Sequence, residues 1–425
     1  MSRLQTDLGA TGQASGYGYD AGGNRTSATD PLAHARTQGF DALNRLIRLT
    51  DPAGGVTQLA YNGQDRVTQV TDPRGLVTTY TVSGLGDVTK VVSPDAGTTN
   101  NTFDAAGNLK TSKDARAVTA TYSYDALNRV TAVTYTGTGF TAQSLGFQYD
   151  QGQNGVGRLT GFTDPSGSTT LSYSAQGRVL TKSQTTSAPS GVTPSSVTLT
   201  LSHGYSPAGQ LTSLTYPSGK TLMLTHAGGR ISSLVWDGAV VLDSLAYHPF
   251  GAPKSWRWGN ATAHARAFDA DGRLSTYPAG LANRTLAYDA ASRITTLTDS
   301  ANAALNQGYE YDSLDRLTRY LGQPANQSYA YDANGNRSSL TIGANAYAYT
   351  YASGKNRLTK TAGPAPVRNF TYDAAGNVKG DGTSTFTYDA RGRMSQATRS
   401  GNTTSYAHNA RGERVRKSGP LTPSG

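Results

Sequence analysis

The sequence contains no cysteine, which excludes disulfide bonds, thiolate metal ligands and cysteine nucleophiles. Glutamate is almost as scarce, because only Glu310 and Glu413 accompany 26 aspartates. Glutamate favours helices whereas aspartate favours turns, so this imbalance argues against a helical protein. No run of about 18 apolar residues occurs, and the first residues lack a basic segment followed by an apolar one. Neither a membrane-spanning helix nor a Sec signal peptide is therefore expected.

Glycine and tyrosine are abundant instead. The 425 residues include 49 Gly and 25 Tyr, against 9 Phe and 3 Trp. Each glycine inside a helix costs about 1 kcal/mol relative to alanine, and the glycines show no three-residue period of the collagen type. The net charge is +10, but the arginines are spread along the chain and form no patch that would indicate an anionic partner. This composition predicts turn-rich β structure.

A short motif recurs along the whole chain, in which an aromatic residue and aspartate precede Gly, Asn and Arg. Tyr124-Asp125-Ala126-Leu127-Asn128-Arg129 is a full copy. We count 19 units, most of them 19 to 25 residues apart. They begin at Tyr19, Phe40, Tyr61, Tyr80, Phe103, Tyr124, Tyr149, Tyr173, Tyr205, Thr225, Tyr247, Phe268, Tyr288, Tyr311, Tyr331, Tyr351, Tyr372, Tyr388 and His408. Such regular self-similarity predicts one array of stacked units.

Each unit is predicted to be strand, turn, strand, turn. Residues before the motif alternate, as in Tyr122 and Tyr124, which is typical of a strand with aromatics on one face. Aspartate then suits the first position of a type I turn, and glycine suits the fourth, where φ is positive. We take these structural positions as the candidate site: Tyr19, Asp20, Phe103, Asp104, Gly107, Tyr124, Asp125, Tyr288, Asp289, Tyr311, Asp312, Tyr331, Asp332, Gly335, Tyr372, Asp373, Gly376, Tyr388 and Asp389.

The strand after the turn has apolar residues three apart, as in Val130 and Val133. A helix also gives this spacing, but the short, Thr-rich segments favour a β-bulge or a strongly twisted strand. A second turn follows, such as Asp51-Pro52-Ala53-Gly54. Since a lone hairpin is marginally stable in water, the units must stack.

The repeated Tyr-Asp motif with Asp-Pro-x-Gly turns resembles the YD-repeat family, also called rearrangement-hotspot (RHS) repeats, whose animal relatives are the teneurin YD shells. The resemblance covers roughly Tyr19 to Lys417. It implies an all-β fold in which tandem hairpins form a spiralling strip, part of a hollow shell. In bacterial members the shell encloses a C-terminal toxin, often delivered by secretion machinery.

The resemblance also guides the predicted organisation. We expect residues 1–425 to form one continuous array, with a Ser/Thr/Pro-rich loop inserted near 183–196 and without a toxin or core-cleavage domain. Family members end their repeats with an Asp-Pro-x-Gly-Leu cleavage motif. Asp72-Pro73-Arg74-Gly75-Leu76 matches it, but more repeats follow, so we interpret it as an ordinary turn. The autoproteolysis of toxin-carrying family members is therefore not expected of this chain.

Motifs for metal, phosphate or dinucleotide binding are matched only poorly by this sequence. The histidines at 34, 203, 226, 248, 264 and 408 lack the spacing of a helical metal site, and we interpret each as structural. The segment Tyr216–Thr221 lacks the leading glycine of a phosphate loop, and the Gly-x-Gly strings at Gly16 and Gly137 have no strand–helix context. No catalytic residue, metal ligand or cofactor is predicted.

The resulting hypothesis is a non-catalytic shell fragment that encapsulates or presents a C-terminal toxin. Its partners would be that toxin or the remaining shell segments, encoded elsewhere or lost, together with secretion-machinery proteins. It would be made in the cytoplasm and exported, without a Sec signal peptide, to the cell surface or the medium. The alternative is a surface adhesion module whose Tyr and Arg faces bind glycans, and a carbohydrate-active enzyme ranks last.

Overall fold

A computed structural model describes residues 3–188, 192–249, 251–364 and 366–419. Within these ranges the chain consists of strands and turns with one short 3-10 helix, Ala303–Leu305. The predicted all-β class is confirmed. The chain divides into two compact units. Unit one comprises Met1–Asp95, Ala246–Trp256 and Ala263–Asn369, and unit two comprises Ala96–Leu245, Arg257–Thr262 and Phe370–Gly425.

The first strip of unit one is a meander in which each strand pairs antiparallel with the next. Its strands are β1 Thr6–Leu8, β2 Ala14–Tyr19, β3 Arg25–Thr29, β4 Ala35–Phe40, β5 Leu46–Thr50, β6 Val56–Tyr61, β7 Val67–Thr71, β8 Val77–Val82 and β9 Val88–Ser93.

The first strip of unit two is built in the same way. Its strands are β10 Gly97–Phe103, β11 Leu109–Lys113, β12 Thr119–Tyr124, β13 Val130–Thr136, β14 Gln143–Tyr149, β15 Leu159–Asp164, β16 Gly167–Tyr173, β17 Val179–Ser187, β18 Ser196–Tyr205, β19 Leu211–Thr215, β20 Thr221–Ala227, β21 Arg230–Trp236 and β22 Ala239–Tyr247.

Two short strands follow, β23 Pro253–Trp258 and β24 Ala263–Ala265. The second strip of unit one contains β25 Ala267–Phe268, β26 Leu274–Ala279, β27 Ala282–Tyr288, β28 Ile294–Asp299, β29 Gln307–Tyr311, β30 Leu317–Leu321, β31 Gln327–Tyr331, β32 Arg337–Ile342, β33 Asn345–Tyr351, β34 Leu358–Ala362 and β35 Arg368–Asn369. The second strip of unit two contains β36 Thr371–Tyr372, β37 Val378–Gly380, β38 Ser384–Tyr388, β39 Met394–Arg399, β40 Asn402–His408 and β41 Arg414–Ser418.

A β-bulge explains the apolar residues three apart. In β12 and β13, Ser123 pairs with Ala132 but Tyr124 pairs with Val130. Residue 131 of β13 is therefore the extra residue of the bulge. The extra residue shifts the alternation by one, and Val130 and Val133 therefore lie opposite Tyr124 and Tyr122 on one face. The bulge interpretation is confirmed.

Only a few side chains are fully buried in either unit. The main cluster lies in unit two, where Ala120, Val133 and Leu145 are covered by Tyr122, Val130, Tyr135, Phe147 and Ala410. Phe162 is 1% exposed nearby and its ring lies 6.4 Å from that of Phe147. Most strand residues are half-buried, which is the pattern of a sheet with limited cover rather than a thick core.

Two motif positions of the predicted array are wrong. The register step falls at Val82 and at His226, so these residues, not Tyr80 and Thr225, hold the motif position. The predicted Ser/Thr/Pro-rich loop near 183–196 is shorter than expected, because β17 continues to Ser187 and β18 begins at Ser196. Threonine suits strands, and Thr185 and Thr198 pair through their hydroxyls at 2.8 Å. Residues 189–191 of that predicted loop lie outside the described residues.

Candidate functional site

The turn after each motif aromatic is organised by its aspartate. In the copy at Asp125, the Asn128 N–H donates to the Asp125 carbonyl at 3.0 Å and the Asp125 N–H donates to the Arg129 carbonyl at 3.0 Å. The Asp125 Oδ1 atom accepts the N–H groups of Leu127 and Arg129 at 2.9 and 3.0 Å. Asn128 has φ 58°, the left-handed conformation that asparagine and glycine tolerate best.

These contacts keep the turn carboxylates ionised. The Arg129 N–H, and then its guanidinium, lower the pKa of Asp125 against a smaller opposing effect of burial. In the same way the Asn108 N–H lowers the pKa of Asp104. The pKa is shifted downward at several equivalent positions, namely Asp20, Asp41, Asp269 and Asp312. A carboxylate with several N–H donors is stabilised in its charged form.

The arginine that ends the motif connects its own repeat to the next one. The Arg129 Nε atom donates to Asp125 Oδ2 at 2.6 Å, and its Nη2 atom donates to Asp150 Oδ2 at 2.6 Å. The guanidinium also lies 4.4 Å from the ring centroid of Tyr149. The Tyr149 hydroxyl donates to the Val130 carbonyl at 3.1 Å. We call this set the Asp–Arg–Tyr link, and it joins consecutive repeats by charge, hydrogen bond and cation–π contact.

The Asp–Arg–Tyr link recurs in both units with nearly constant dimensions. Its arginine-to-ring distances are 4.7 to 4.9 Å in four other copies: Arg45 over Tyr61, Arg273 over Tyr288, Arg293 over Tyr311 and Arg316 over Tyr331. In these copies the tyrosine hydroxyl again donates to the first carbonyl of the preceding strand. The tyrosines and aspartates were predicted as site residues, but this arginine was not, although its fixed position in the motif was the available signal.

The predicted turn residues all lie where strands end and turns begin. The aromatic residues are the last residues of their strands: Tyr19, Phe103, Tyr124, Tyr288, Tyr311, Tyr331, Tyr372 and Tyr388. The carbonyl of the following aspartate accepts the turn's fourth N–H in each case: Asp20, Asp104, Asp125, Asp289, Asp312, Asp332, Asp373 and Asp389. Gly107, Gly335 and Gly376 have φ of 82°, 82° and 91°. These residues do not converge on one pocket; they define a repeated feature.

In unit one, turns of the two strips meet along a seam. Asp271 accepts the Ala10 N–H at 2.8 Å and the Gln13 side-chain amide at 2.6 Å. Farther along, Arg74 donates to the Lys355 carbonyl at 2.9 Å and to Asn356 Oδ1 at 2.8 Å. Arg74 belongs to the Asp72–Leu76 segment, which forms the turn between β7 and β8. Residues remote in sequence thus tie the first strip to the second.

A similar seam joins the two strips of unit two. Arg116, whose side chain is 7% exposed, donates to the carbonyls of Asp389 and Ala390 at 3.1 and 3.0 Å. The Ala410 N–H donates to Asp164 Oδ2 at 2.7 Å. Lys182 pairs with Glu413 at 2.8 Å, and this contact is the largest of the causes that lower the pKa of Glu413.

Asn409 occupies the aspartate position of its turn and is fully buried in this seam. Its Oδ1 atom accepts the N–H groups of Arg411 and Glu413, as a turn aspartate would. Its Nδ2 atom donates to Gln184 Oε1 at 3.2 Å and to Glu413 Oε2 at 2.7 Å. An amide can donate where a carboxylate cannot, so asparagine suits this buried position.

One cluster in the unit-one seam has the chemistry of metal ligands. Ligand atoms of Asp30, His34 and Asp315 all lie within 4.8 Å of one another. His34 was predicted to be structural, because no second histidine lies near it with the spacing of a helical metal site. Within the described residues, no helix is long and apolar enough to cross a membrane.

The fold and its repeated link define a class: antiparallel strips of tandem hairpins held by Tyr-Asp turns. Two family descriptions match this chain, the RHS Repeat at residues 40–77, 61–98, 103–139 and 154–193, and the Teneurin YD-shell at residues 279–418. The matched segments therefore carry the sequence pattern of RHS repeats in the first half of the chain and of a teneurin YD-shell at residues 279–418. The family resemblance drawn from the motifs is confirmed.

Solved structures share the fold at low sequence identity. The crystal structure of TcdB2-TccC3 superposes with a TM-score of 0.74 at 17% identity over 96% of this chain and 26% of that one. The Tc holotoxin pore of Photorhabdus luminescens gives 0.75 at 18% identity over 97% of this chain and 26% of that one. This chain therefore spans about a quarter of those chains. Among curated proteins, none matches this sequence.

Proposed function

We propose that this chain is a non-catalytic section of wall that encloses or presents a toxin polypeptide exported from a bacterium. The observation that carries the proposal is the repeated Asp–Arg–Tyr link together with the seams. The polar groups of these features bind one another and so connect consecutive repeats and neighbouring strips. The fold is shared with chains of a Tc holotoxin, and this likeness supports a toxin as the cargo. The mechanism is geometric, since a continuous wall separates a polypeptide from its surroundings.

The state of the aspartates supports a non-catalytic role. Hydrolysis by paired carboxylates needs one acid whose pKa is raised. Asp104 and Asp125 have a lowered pKa instead, and the Oδ1 atom of each already accepts N–H groups of its turn. Such carboxylates are ionised near neutral pH and hold no proton to donate.

The test is protection of a cargo from protease. The gene is expressed in its native locus, so that any polypeptide encoded beyond residue 425 is made with the chain. The purified material is treated with proteinase K and followed by mass spectrometry. We expect the downstream polypeptide to survive in the wild type and to be digested after the protein is denatured. Equal digestion rates in the native and denatured samples would contradict a protective wall.

Seam variants sharpen this test. Arg116→Ala removes two hydrogen bonds of the unit-two seam, and Arg74→Ala removes two hydrogen bonds of the unit-one seam. Arg48→Ala is the matched control, because Arg48 lies in the middle of β5 and its Nε atom donates to the nearby Thr50 hydroxyl at 3.4 Å. Protection should fall in the seam variants and persist in the control. The glycan-binding alternative stays a prediction, for which saturable binding to a wall polysaccharide is the measurement.

A further inference from the structure

The turn between β3 and β4 differs from its neighbours by carrying a histidine. The Asp30 Oδ1 atom accepts the N–H groups of Leu32 and His34 at 2.9 and 2.8 Å, which fixes the carboxylate. The remaining oxygen, Oδ2, forms a hydrogen bond of 3.0 Å with the Nδ1 atom of His34, and a bound ion would replace the shared proton. Burial raises the pKa of Asp30, but the N–H groups of His34 and Leu32 outweigh it, so the net shift is downward. A held carboxylate and an imidazole therefore face the same point.

Asp315 approaches this point from the other strip of unit one. It lies in the turn between β29 and β30 with φ 62°, and its side chain is 60% exposed. One of its oxygens, Oδ1, contacts the Arg293 Nη1 atom at 2.9 Å. The three ligand atoms lie within 4.8 Å of one another.

Turn formation does not require these residue types. The position of His34 is Gly55 in the turn at Asp51 and Leu76 in the turn at Asp72, and both turns make the same backbone bonds. The position of Asp315 is Asn44 and Asn128 in other copies, again with positive φ. An aspartate at this position also pairs with an arginine at Asp65, so the imidazole of His34 near the carboxylate is what distinguishes the Asp315 turn.

We propose that Asp30, His34 and Asp315 bind one divalent zinc ion, with water as the fourth ligand. Zinc takes imidazole nitrogen and carboxylate oxygen at about 2.0–2.2 Å, so neighbouring ligands in a tetrahedron are about 3.3 Å apart. The 3.0 Å between Asp30 Oδ2 and His34 Nδ1 is close to that edge. Two carboxylates neutralise the charge of the ion. The backbone N–H groups that bind Asp30 hold its carboxylate in a fixed orientation, as is typical of metal ligands.

The surroundings leave room for the water ligand. The three residues line a cavity of about 390 Å³ that also contains Ser15 and Tyr17. Arg25 and Arg36 line it as well, and their charge weakens the site relative to one without arginines. A bound ion would link segments of the two strips of unit one that are remote in sequence. Because it binds only the folded chain, it would raise the melting temperature.

The experiment uses the full chain, freed of metal with a chelator and titrated with zinc chloride. Isothermal calorimetry gives the stoichiometry and thermal unfolding gives the shift in melting temperature. Asp315→Asn and His34→Leu remove one ligand each, and leucine is the residue that the Asp72 turn carries at the position of His34. Asp65→Asn is the matched control, because Asp65 has φ 60° and pairs with Arg45 at 2.7 Å as Asp315 pairs with Arg293.

We expect one zinc per chain and a rise of about 4 °C or more in the wild type and in Asp65→Asn. Affinity should fall at least about 10-fold in Asp315→Asn and His34→Leu, as loss of one ligand predicts. Unchanged zinc binding in both ligand variants would overturn the proposal and assign the ion to other histidines. If either variant fails to fold, cobalt(II) bound to the wild type decides: absence of a tetrahedral visible spectrum overturns the site.

Discussion

Two turns of unit two share one backbone design but differ in their surroundings. The turn at Asp125 has an exposed tip, since Leu127 is 71% exposed, and its aspartate pairs with Arg129. The turn at Asn409 lies in the seam, where Asn409 is fully buried and Ala410 covers the hydrophobic cluster. Both turns direct a side-chain oxygen at the N–H groups two and four residues on.

The comparison separates two roles of the turn residue. Accepting two N–H groups needs only an oxygen, so aspartate and asparagine serve equally well. The other polar atom of the side chain, Oδ2 in Asp125 and Nδ2 in Asn409, differs between the two turns. At the exposed turn the carboxylate oxygen accepts from Arg129, whereas in the seam the amide nitrogen donates to Gln184 and Glu413. Local sequence therefore sets the turn, and tertiary surroundings set the choice between acid and amide.

Acid should have the largest effect, because it acts on many exposed turns at once. The pKa of Asp41, Asp104 and Asp125 is lowered in the folded chain from an ordinary value of 3.8. A lowered folded pKa gives stability that is present above pH 3.8 and is lost as pH falls through the folded value. The free energy of unfolding, measured by urea titration, should be level from about pH 7 to 5 and fall below about pH 4.

The same experiment distinguishes the two turns, since Asn409 does not titrate. Hydrogen exchange below pH 4, corrected for intrinsic rates, should show weakened protection at Leu127 and Arg129 before Arg411. Simultaneous loss at both turns would mean that the array unfolds as a whole before the carboxylates matter locally.

Asn409→Asp should be the most damaging single substitution. It replaces a buried donor with a carboxylate that faces Glu413 at the former 2.7 Å hydrogen bond. Loss of two hydrogen bonds and burial of a like-charge pair should cost about 3 kcal/mol in the free energy of unfolding. Asp125→Asn is the matched change at the exposed turn, and it should cost clearly less. Equal losses in the two variants, measured by urea denaturation, would contradict the distinction between the turns.

The glycine at the fourth turn position should be similarly sensitive in both settings. Gly107 has φ 82° and open space where a Cβ would lie, so Gly107→Val should cost about 1 kcal/mol or more through backbone strain alone. Gly412 has φ 79°, and its Cβ would meet the end of the flexible Arg393 side chain at 2.6 Å, which can move aside. Gly412→Val should therefore lower the melting temperature by about as much as Gly107→Val, and a much larger loss would contradict backbone strain as the main cause. The same strain is expected for Gly335→Val and Gly376→Val.

Tyr124→Phe should have the smallest effect of this series. It removes the hydroxyl that donates to the Leu109 carbonyl at 2.8 Å and leaves the ring in place. The expected cost is about 0.5 kcal/mol in the free energy of unfolding. Tyr124→Leu, which also removes the ring, should cost more. If the phenylalanine variant equals the wild type, the repeat-to-repeat hydrogen bond contributes no net stability.

Much of the fold could be predicted because its information is local. Alternating aromatics, the aspartate that opens a turn and the glycine at positive φ all lie within one repeat of about 20 residues. Errors arose where a copy had lost its aromatic, as at Val82 and His226, because only the pairing register identifies those positions. The Ser/Thr-rich stretch before Ser187 was mistaken for loop because composition alone does not separate a threonine-rich strand from a linker.

The sequence by itself determined the repeat, the turn chemistry and the strand pairing of neighbours, since these depend on residues close together in the chain. Only the tertiary structure decided which turns meet. The contacts of Arg116 with Asp389, of Asn409 with Gln184, and of His34 with Asp315 depend on how the strips within each unit lie side by side. That arrangement is the sum of many small twists and bulges along the strands, and no single repeat encodes it.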